Sequence, residues 1–284
     1  MKKIVVCDSG LGGLNIAARF FGEKRADEKC ELIYFNAYPA KDCGFNKLAS
    51  EREQEEVFRD VFEGMKKFSP DLCFIACNTL SIVYERLKKW YEVPFEVVGI
   101  VDAAVNGMYD VLQQNPESSM LILGTKSTVE SGVYAQKLIE KGIGSERIKG
   151  LACPGLATLL ESDPASEAVR KDIEVYAEKA TELFEKEPQK LYCALCCTHF
   201  GFASQIWEKK FSEKFENFAG LVNPNDLLWT GFFAEKFSYH SKIDFFAGAR
   251  ESMSAYFEEN VPSIADALKN AVYNDELFKF NKGK

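Results

Sequence analysis

The chain has 284 residues, with 35 Lys and Arg against 43 Asp and Glu, for a formal net charge of −8. That length suits one large domain or two ordinary ones, and 46% hydrophobic with 27% charged residues describes a globular chain that buries a core without disulfide staples. An acidic balance with no Lys/Arg stripe excludes non-specific nucleic-acid binding, which works by displacing counterions with clustered basic residues.

In chain order, Met1-Lys2-Lys3 leads straight into an apolar run, Ile4–Cys7, too short for a secretory signal or a membrane span. Strands are expected at Lys3–Cys7, Leu32–Asn36, Leu72–Ala76, Phe95–Ile100, Met120–Gly124, Ile148–Leu151, Leu191–Leu195, Ala219–Val222 and Ile243–Phe246. Helical periodicity fills Leu14–Phe21, Leu48–Lys67, Ser81–Tyr91, Ala103–Gln113, Val129–Lys141, Ala165–Lys186, Ser204–Phe215 and Pro224–Phe237. Alternation at this spacing means βαβ units and an α/β fold with mainly parallel sheets. The nine cysteines are odd in number, and Cys73, Cys153 and Cys193 fall inside apolar runs, where a reduced thiol behaves as a small hydrophobe. This pattern points to a reducing, cytoplasmic setting.

One pattern occurs twice. The strand Leu72–Ala76 ends in Cys77-Asn78-Thr79 before a helix, and Leu191–Leu195 ends in Cys196-Cys197-Thr198-His199 before another. The two sit about one domain length apart, which suggests two related lobes, each offering a cysteine from the carboxyl end of a strand. Ligands of open parallel sheets bind at that end, so a cleft between the lobes is expected. A thiol at a helix start is favoured as thiolate, a competent base or nucleophile. The chain has only two histidines. His199 falls two residues beyond Cys197, whereas His240 lies in the polar stretch Ser238–Ser241 and is given no role.

Asp8-Ser9-Gly10-Leu11-Gly12-Gly13-Leu14 follows the first strand. It fits a tight turn with Asp8 as cap or a seat for a carboxylate at a helix start. It lacks the third glycine of a dinucleotide fingerprint and the Gly-Lys-Ser/Thr of a P-loop. Gly124-Thr125-Lys126-Ser127-Thr128 reads equally as a helix start capped by Thr125 or Thr128, or as a ligand contact. Cys193-Ala194-Leu195-Cys196 has C-x-x-C spacing, but no second ligand pair for zinc accompanies it, and Cys193 falls inside the strand rather than at a helix start.

Asp8-Ser9-Gly10-x-Gly12-Gly13-Leu14, Ala76-Cys77-Asn78-Thr79, Gly124-Thr125-x-x-Thr128 and Cys197-Thr198-His199 together resemble the glutamate racemases of the cofactor-independent aspartate/glutamate racemase superfamily. The resemblance spans roughly residues 3–224. It implies two pseudo-symmetric flavodoxin-like α/β/α lobes with the site in the cleft between them. On this reading residues 1–98 with 210–284 form one lobe carrying Cys77, and 99–209 form the other carrying Cys197. It also implies a cofactor-independent amino-acid racemase of cell-wall biosynthesis; no metal, nucleic-acid or membrane partner is expected, and a homodimer is expected by base rate alone. Cys77 would be the base for the D-enantiomer and Cys197 for the L-enantiomer, assisted by Asp8 and His199. Ser9, Asn78, Thr79, Thr125, Thr128 and Thr198 would hold the amino and carboxylate groups.

Departures fall elsewhere. Where glutamate racemases carry a Pro-Tyr-Gly loop seating the substrate's distal end, this chain has Asp42-Cys43-Gly44, so Cys43 and Gly44 are the expected contacts there. A carboxylate from Asp42 beside a glutamate side chain would cost several kcal/mol at about 4 Å, so either Asp42 points away or the substrate is aspartate, another amino acid, a hydantoin or a small dicarboxylate. The late Asp-Ser-Gly segment stands here as Asn223-Pro224-Asn225. Two other readings compete: a cysteine hydrolase with Cys197 as nucleophile and His199 as base, which leaves Cys77 unused, and a catalytically silent binding protein on the same fold, which has no need of both thiols.

Overall fold

The structure, a computed structural model, describes residues 1–17, 28–37, 45, 48–184, 188–227 and 232–240. The chain divides into two compact units. The first comprises Met1–Ile100 and the returning strand near the C-terminus, and the second Val101–Leu228.

The first unit contains β1 (Lys2–Asp8), β2 (Glu28–Asn36), α1 (Glu51–Met65), β3 (Leu72–Ile75), α2 (Asn78–Leu87), β4 (Glu96–Gly99) and the late strand β9 (Phe232–His240). In the second are α3 (Ile100–Gln114, whose first residue belongs to the first unit), β5 (Ser118–Gly124), α4 (Lys126–Glu130), α5 (Val133–Glu140), β6 (Ile148–Ala152), α6 (Leu156–Ser162), α7 (Glu167–Thr181), β7 (Lys190–Cys196), α8 (Ser204–Lys214) and β8 (Phe218–Val222). The sheet orders are β4-β3-β1-β2-β9 and β6-β5-β7-β8, and every pairing is parallel. Leaving β9 aside, both sheets run second-first-third-fourth, the start of a doubly wound order. The expected α/β fold of two like lobes is what the chain forms. β8 hydrogen-bonds β7, so the second unit continues past residue 209, where the sequence reading ended the second lobe.

Buried strands explain the apolar runs. From Ile4 to Asp8 no residue of β1 is exposed, as expected of a central parallel strand covered on both faces. α1 lays Phe58, Val61, Phe62 and Met65 on the side of its sheet that carries Val5, Cys7, Cys73 and Ile75, a spacing of three and four residues that keeps one helical face inward. Its start is fixed by Ser50, whose hydroxyl accepts from the Glu53 N–H at 3.1 Å. In the second unit α7 buries Val169, Ile173, Tyr176, Ala177 and Ala180 in a core shared with Leu191, Cys193 and Leu195 of β7.

Four local readings change. The periodic stretch Val129–Lys141 is two helices, because Gly132 between them adopts φ +66°, a left-handed conformation that ends one helix and starts the next. The short helix α6 was not anticipated; it follows Pro154-Gly155 and spans seven residues, too few to show a period. The expected helix Pro224–Phe237 is a single 3-10 turn, Pro224–Asp226, and then strand β9. The proline does start a helical turn, but Phe233, Phe237 and Tyr239 are β-favouring residues at even spacing, and pairing with β2 overrides the helical reading. His240 accordingly ends a strand rather than lying in a surface loop. The expected strand Ile243–Phe246 lies outside the described residues. Among the described residues no helix is long and apolar enough to cross a membrane.

The second core converges on Trp207, which is fully buried between Phe200 at 5.5 Å and Phe211 at 5.8 Å between ring centroids. Trp207→Ala is expected to cost about 3–5 kcal/mol of stability, the range for emptying a large aromatic site, measured as a lowered urea midpoint.

Candidate functional site

In both units the chemistry-bearing residues collect where strand order reverses, at the carboxyl ends of the first and third strands. In the first unit these are β1 and β3. The Ala76 N–H donates to the Cys7 carbonyl at 2.8 Å, so the chain beyond β3 stays beside the chain beyond β1. Cys77 is the N-cap of α2, at a helix end where unpaired backbone N–H groups favour negative charge. Its Sγ lies 3.2 Å from Ser9 Oγ. Asn78 and Thr79 open α2 and are 2% and 4% exposed. Asp8 is fully buried, and its Oδ1 accepts from the Gly10 N–H at 2.8 Å, which closes the turn itself; the helix starts only at Leu14, so Asp8 does not cap it as the sequence suggested. Tyr34, on β2, donates its hydroxyl to the Gly10 carbonyl at 2.8 Å.

Gly13 is required by this close packing. A Cβ there would stand 2.8 Å from the Asp8 Cβ and 3.1 Å from both the Ala76 Cβ and the Tyr34 hydroxyl, so a side chain would push the turn off the ends of β1 and β3.

The second unit repeats the plan with different partners. Gly124 on β5 is in register with Cys196 on β7. Thr125 is the N-cap of α4, its hydroxyl accepting from the Thr128 N–H at 3.2 Å and donating to Thr128 Oγ1 at 3.0 Å, so the capping reading holds and brings the two hydroxyls together. Gly124 is confined by Thr128, whose methyl would lie 3.1 Å from an added Cβ. Beyond β7, Cys197-Thr198-His199 makes a turn closed by the Phe200 N–H on the Cys197 carbonyl at 3.0 Å. A 3-10 turn, Phe200–Ala203, then intervenes before α8, so Cys197, unlike Cys77, is not a helix cap. Cys197 Sγ lies 3.8 Å from His199 Nδ1, within hydrogen-bonding reach for sulfur.

Sequence reading missed Glu161. It sits on α6, and its Oε1 lies 2.7 Å from His199 Nε2. Burial by itself pushes the imidazole down, but the Glu161 carboxylate, with Cys197 on the other nitrogen, outweighs it and holds His199 well above its ordinary value near 6.5. These contacts favour the imidazolium form, a cation beside the Cys197 thiol and neutralised from behind by Glu161. Only the short helix α6 could have signalled this partner, and it is too brief to be read from periodicity.

Burial pushes the Cys7, Cys73, Cys153, Cys193 and Cys196 thiols up, and Cys30 up to about 11, so they are neutral core fillers. None of the eight described cysteines is in a disulfide. Cys193 and Cys196 lie three residues apart on one strand, and their side chains therefore leave opposite faces of the sheet, an arrangement that suits neither a dithiol nor a shared ion. Cys43 and Gly44 lie outside the described residues.

Known proteins resemble this chain in sequence and in fold. The profile of the Asp/Glu/Hydantoin racemase family matches residues 24–201. Glutamate racemase from Aquifex pyrophilus is 27% identical over 286 residues, covering 99% of this chain and 98% of that protein; the enzyme from Campylobacter jejuni is 26% identical over 75% of this chain and 78% of its own length. Among solved structures, glutamate racemase from Campylobacter jejuni superposes with a TM-score of 0.69 at 20% identity, covering 89% of this chain and 98% of that one. The RacE1 isoform from Bacillus anthracis gives 0.69 at 18% identity, covering 96% of each.

The His199–Glu161 pair has a pH signature. Because the folded-state value of His199 is raised, the pair contributes stability that is fully present below the unfolded value near 6.5 and is lost as pH rises through the folded value. Glu161→Gln is expected to move the imidazole NMR titration down and to destabilise the protein most at slightly acidic pH. The difference from wild type in urea midpoint should vanish at alkaline pH.

Proposed function

Because the chain belongs to the Asp/Glu/Hydantoin racemase family, and is thus a racemase, we propose that it inverts the α-carbon of glutamate by proton transfer between Cys77 and Cys197. The observation that carries this reading is the repetition just described: a thiol beyond the third strand of each of two sheets with the same order, at the end where such sheets take ligands. Glutamate is proposed because the relatives matched along most of their length are glutamate racemases.

An amino acid's α-proton is very weakly acidic, so two tasks must be met. A base has to stand on each side of Cα, and donors have to stabilise the charge that develops on the carboxylate. In the proposed cycle one thiolate takes the α-proton, the C–H electron pair passes into the carboxylate-stabilised carbanion, and the opposite thiol returns a proton to the other face. The thiolate and thiol have then exchanged places, so the reverse reaction uses the same groups.

The two thiols would be managed differently. Cys77 has the first turn of α2 and the Ser9 hydroxyl, and buried Asp8, next to Ser9 in the chain, is the proposed assistant there. Cys197 has the His199 imidazolium, which offsets a thiolate when Cys197 is the base and can resupply its proton. Ser9, Asn78, Thr79, Thr125, Thr128 and Thr198 are the proposed holders of the ammonium and carboxylate. All sit in the turns or first helical residues that follow the first and third strands of their sheets.

Incubation in D₂O with L- and D-glutamate, followed by NMR loss of the α-proton signal, tests the reading. Deuterium should enter from both enantiomers. Cys77→Ser and Cys197→Ser should each slow interconversion by about 10²–10⁴-fold, the usual worth of a positioned acid or base, with little change in thermal midpoint. Near-normal two-way turnover in either variant would end the two-thiol mechanism. Exchange confined to aspartate, another amino acid or a hydantoin would move the substrate and make Asp42-Cys43-Gly44 its selectivity loop.

A further inference from the structure

One buried side chain beside the second thiol has no part in the account above. Asn225 lies in the 3-10 turn Pro224–Asp226 beyond β8 and is 2% exposed. Its Nδ2 donates to the Thr198 carbonyl at 2.9 Å, a buried bond between residues far apart in sequence. Thr198 is the residue between Cys197 and His199, so this amide reaches from the loop of the neighbouring strand onto the peptide that joins thiol to imidazole.

The amide is delivered from a fixed base. The Asn225 N–H donates to Asn223 Oδ1 at 3.2 Å, Asn223 Nδ2 donates to Asp226 Oδ1 at 2.9 Å, and the Leu227 N–H donates to the Pro224 carbonyl at 3.0 Å. The Leu227 side chain lies against Gly107 of α3, where an added Cβ would come within 2.4 Å of it. In addition, Asn225 Oδ1 is buried with no hydrogen-bond partner among the described residues. Most buried polar atoms are paired, and an unpaired buried carbonyl detracts from stability. The residue is better explained by its donor than by its packing.

We propose that Asn225 is a positioning residue, which through the Thr198 carbonyl holds the Cys197-Thr198-His199 turn in the geometry that keeps the thiol against the imidazole. The inference rests on Cys197 being a proton-transfer group. With the donor gone, the 198–199 peptide is free to rotate, the 3.8 Å approach of Cys197 Sγ to His199 Nδ1 opens, and a Cys197 thiolate loses its facing cation. Asn225→Asp is the sharpest change, since it keeps the shape but turns an acceptor toward the Thr198 carbonyl. Asn225→Gln keeps the amide on a longer stem.

The experiment uses the full chain. Iodoacetamide labelling is followed from about pH 5 to pH 10, with Cys197 and Cys77 read separately by peptide mass spectrometry, so that Cys77 serves as the internal control. Glutamate kcat and KM are measured alongside. Asn225→Asp should slow labelling of Cys197 at neutral pH and shift its profile to higher pH while leaving that of Cys77 in place. It should lower kcat by about 10²-fold, the scale of a misplacement of about 1 Å, with a much smaller change in KM, and Asn225→Gln should recover part of the loss. Unmoved labelling of Cys197, or equal slowing of both thiols with a lowered melting point, overturns the proposal. If Asn225→Asp does not fold, labelling of Asn225→Ser decides by the same criterion. A wild-type protein that fails to racemise glutamate, together with a selective shift at Cys197, refutes the substrate and leaves the positioning role standing.

Discussion

Parallel strands joined by helices all finish at the same edge of their sheet, and where the third strand is added on the other side of the first, the connections diverge and leave a gap at that edge. Both sheets of this protein are built around such a reversal, at β1/β3 and at β5/β7. Everything proposed for the site depends on it. Ser9 and Cys77 become neighbours because Cys7 and Ile75 are in register, and Cys197 follows directly on the strand paired with Gly124. A slip of one residue in either pairing would turn every side chain of the slipped strand to the opposite face and shift the turn that follows it.

The same thiol chemistry is set in two electrostatic surroundings. Cys77 caps a helix and meets a hydroxyl, so its negative charge would be met by oriented dipoles. Cys197 has no helix of its own, because a 3-10 turn stands between it and α8, and an imidazolium backed by a carboxylate takes the place of the helix end. Both solutions offset a thiolate without a metal-like charge. They differ in how they respond to pH, since only the second contains a group that titrates near neutrality in the unfolded chain. The remaining buried cysteines are pushed up by desolvation, Cys196 at the very end of β7 among them, so neither a cysteine nor a strand end alone marks a candidate thiol in this chain.

Close packing around the site is bought by a few small residues. Gly13 lets the first turn pass within contact of Asp8, Ala76 and Tyr34, and Gly124 lets α4 lie on the end of β5 with Thr128 against it. Lining such turns with backbone and short hydroxyl side chains leaves donors at hand and little room for water, the condition under which a few hydrogen bonds can stabilise developing charge.

The amino-acid sequence by itself determined the alternation of strands and helices, the repeated cysteine turn and the glycine-rich first loop, because each is a local pattern: apolar runs of strand length, helical spacing, and residue types that only tight turns require. Phe58, Val61, Phe62 and Met65 could be read as one helical face before any fold was known. Tertiary structure decided what local pattern does not encode. It placed Glu161 behind His199 and Asn225 behind Thr198, pairs far apart in sequence that meet only because their strands are ordered second-first-third-fourth. It also made a strand of residues 232–240, since pairing with β2 supplied backbone partners that a helical reading of that stretch could not anticipate. Charge and hydrogen bonding act through space, and the distances along which they act are fixed by strand order rather than by position along the chain.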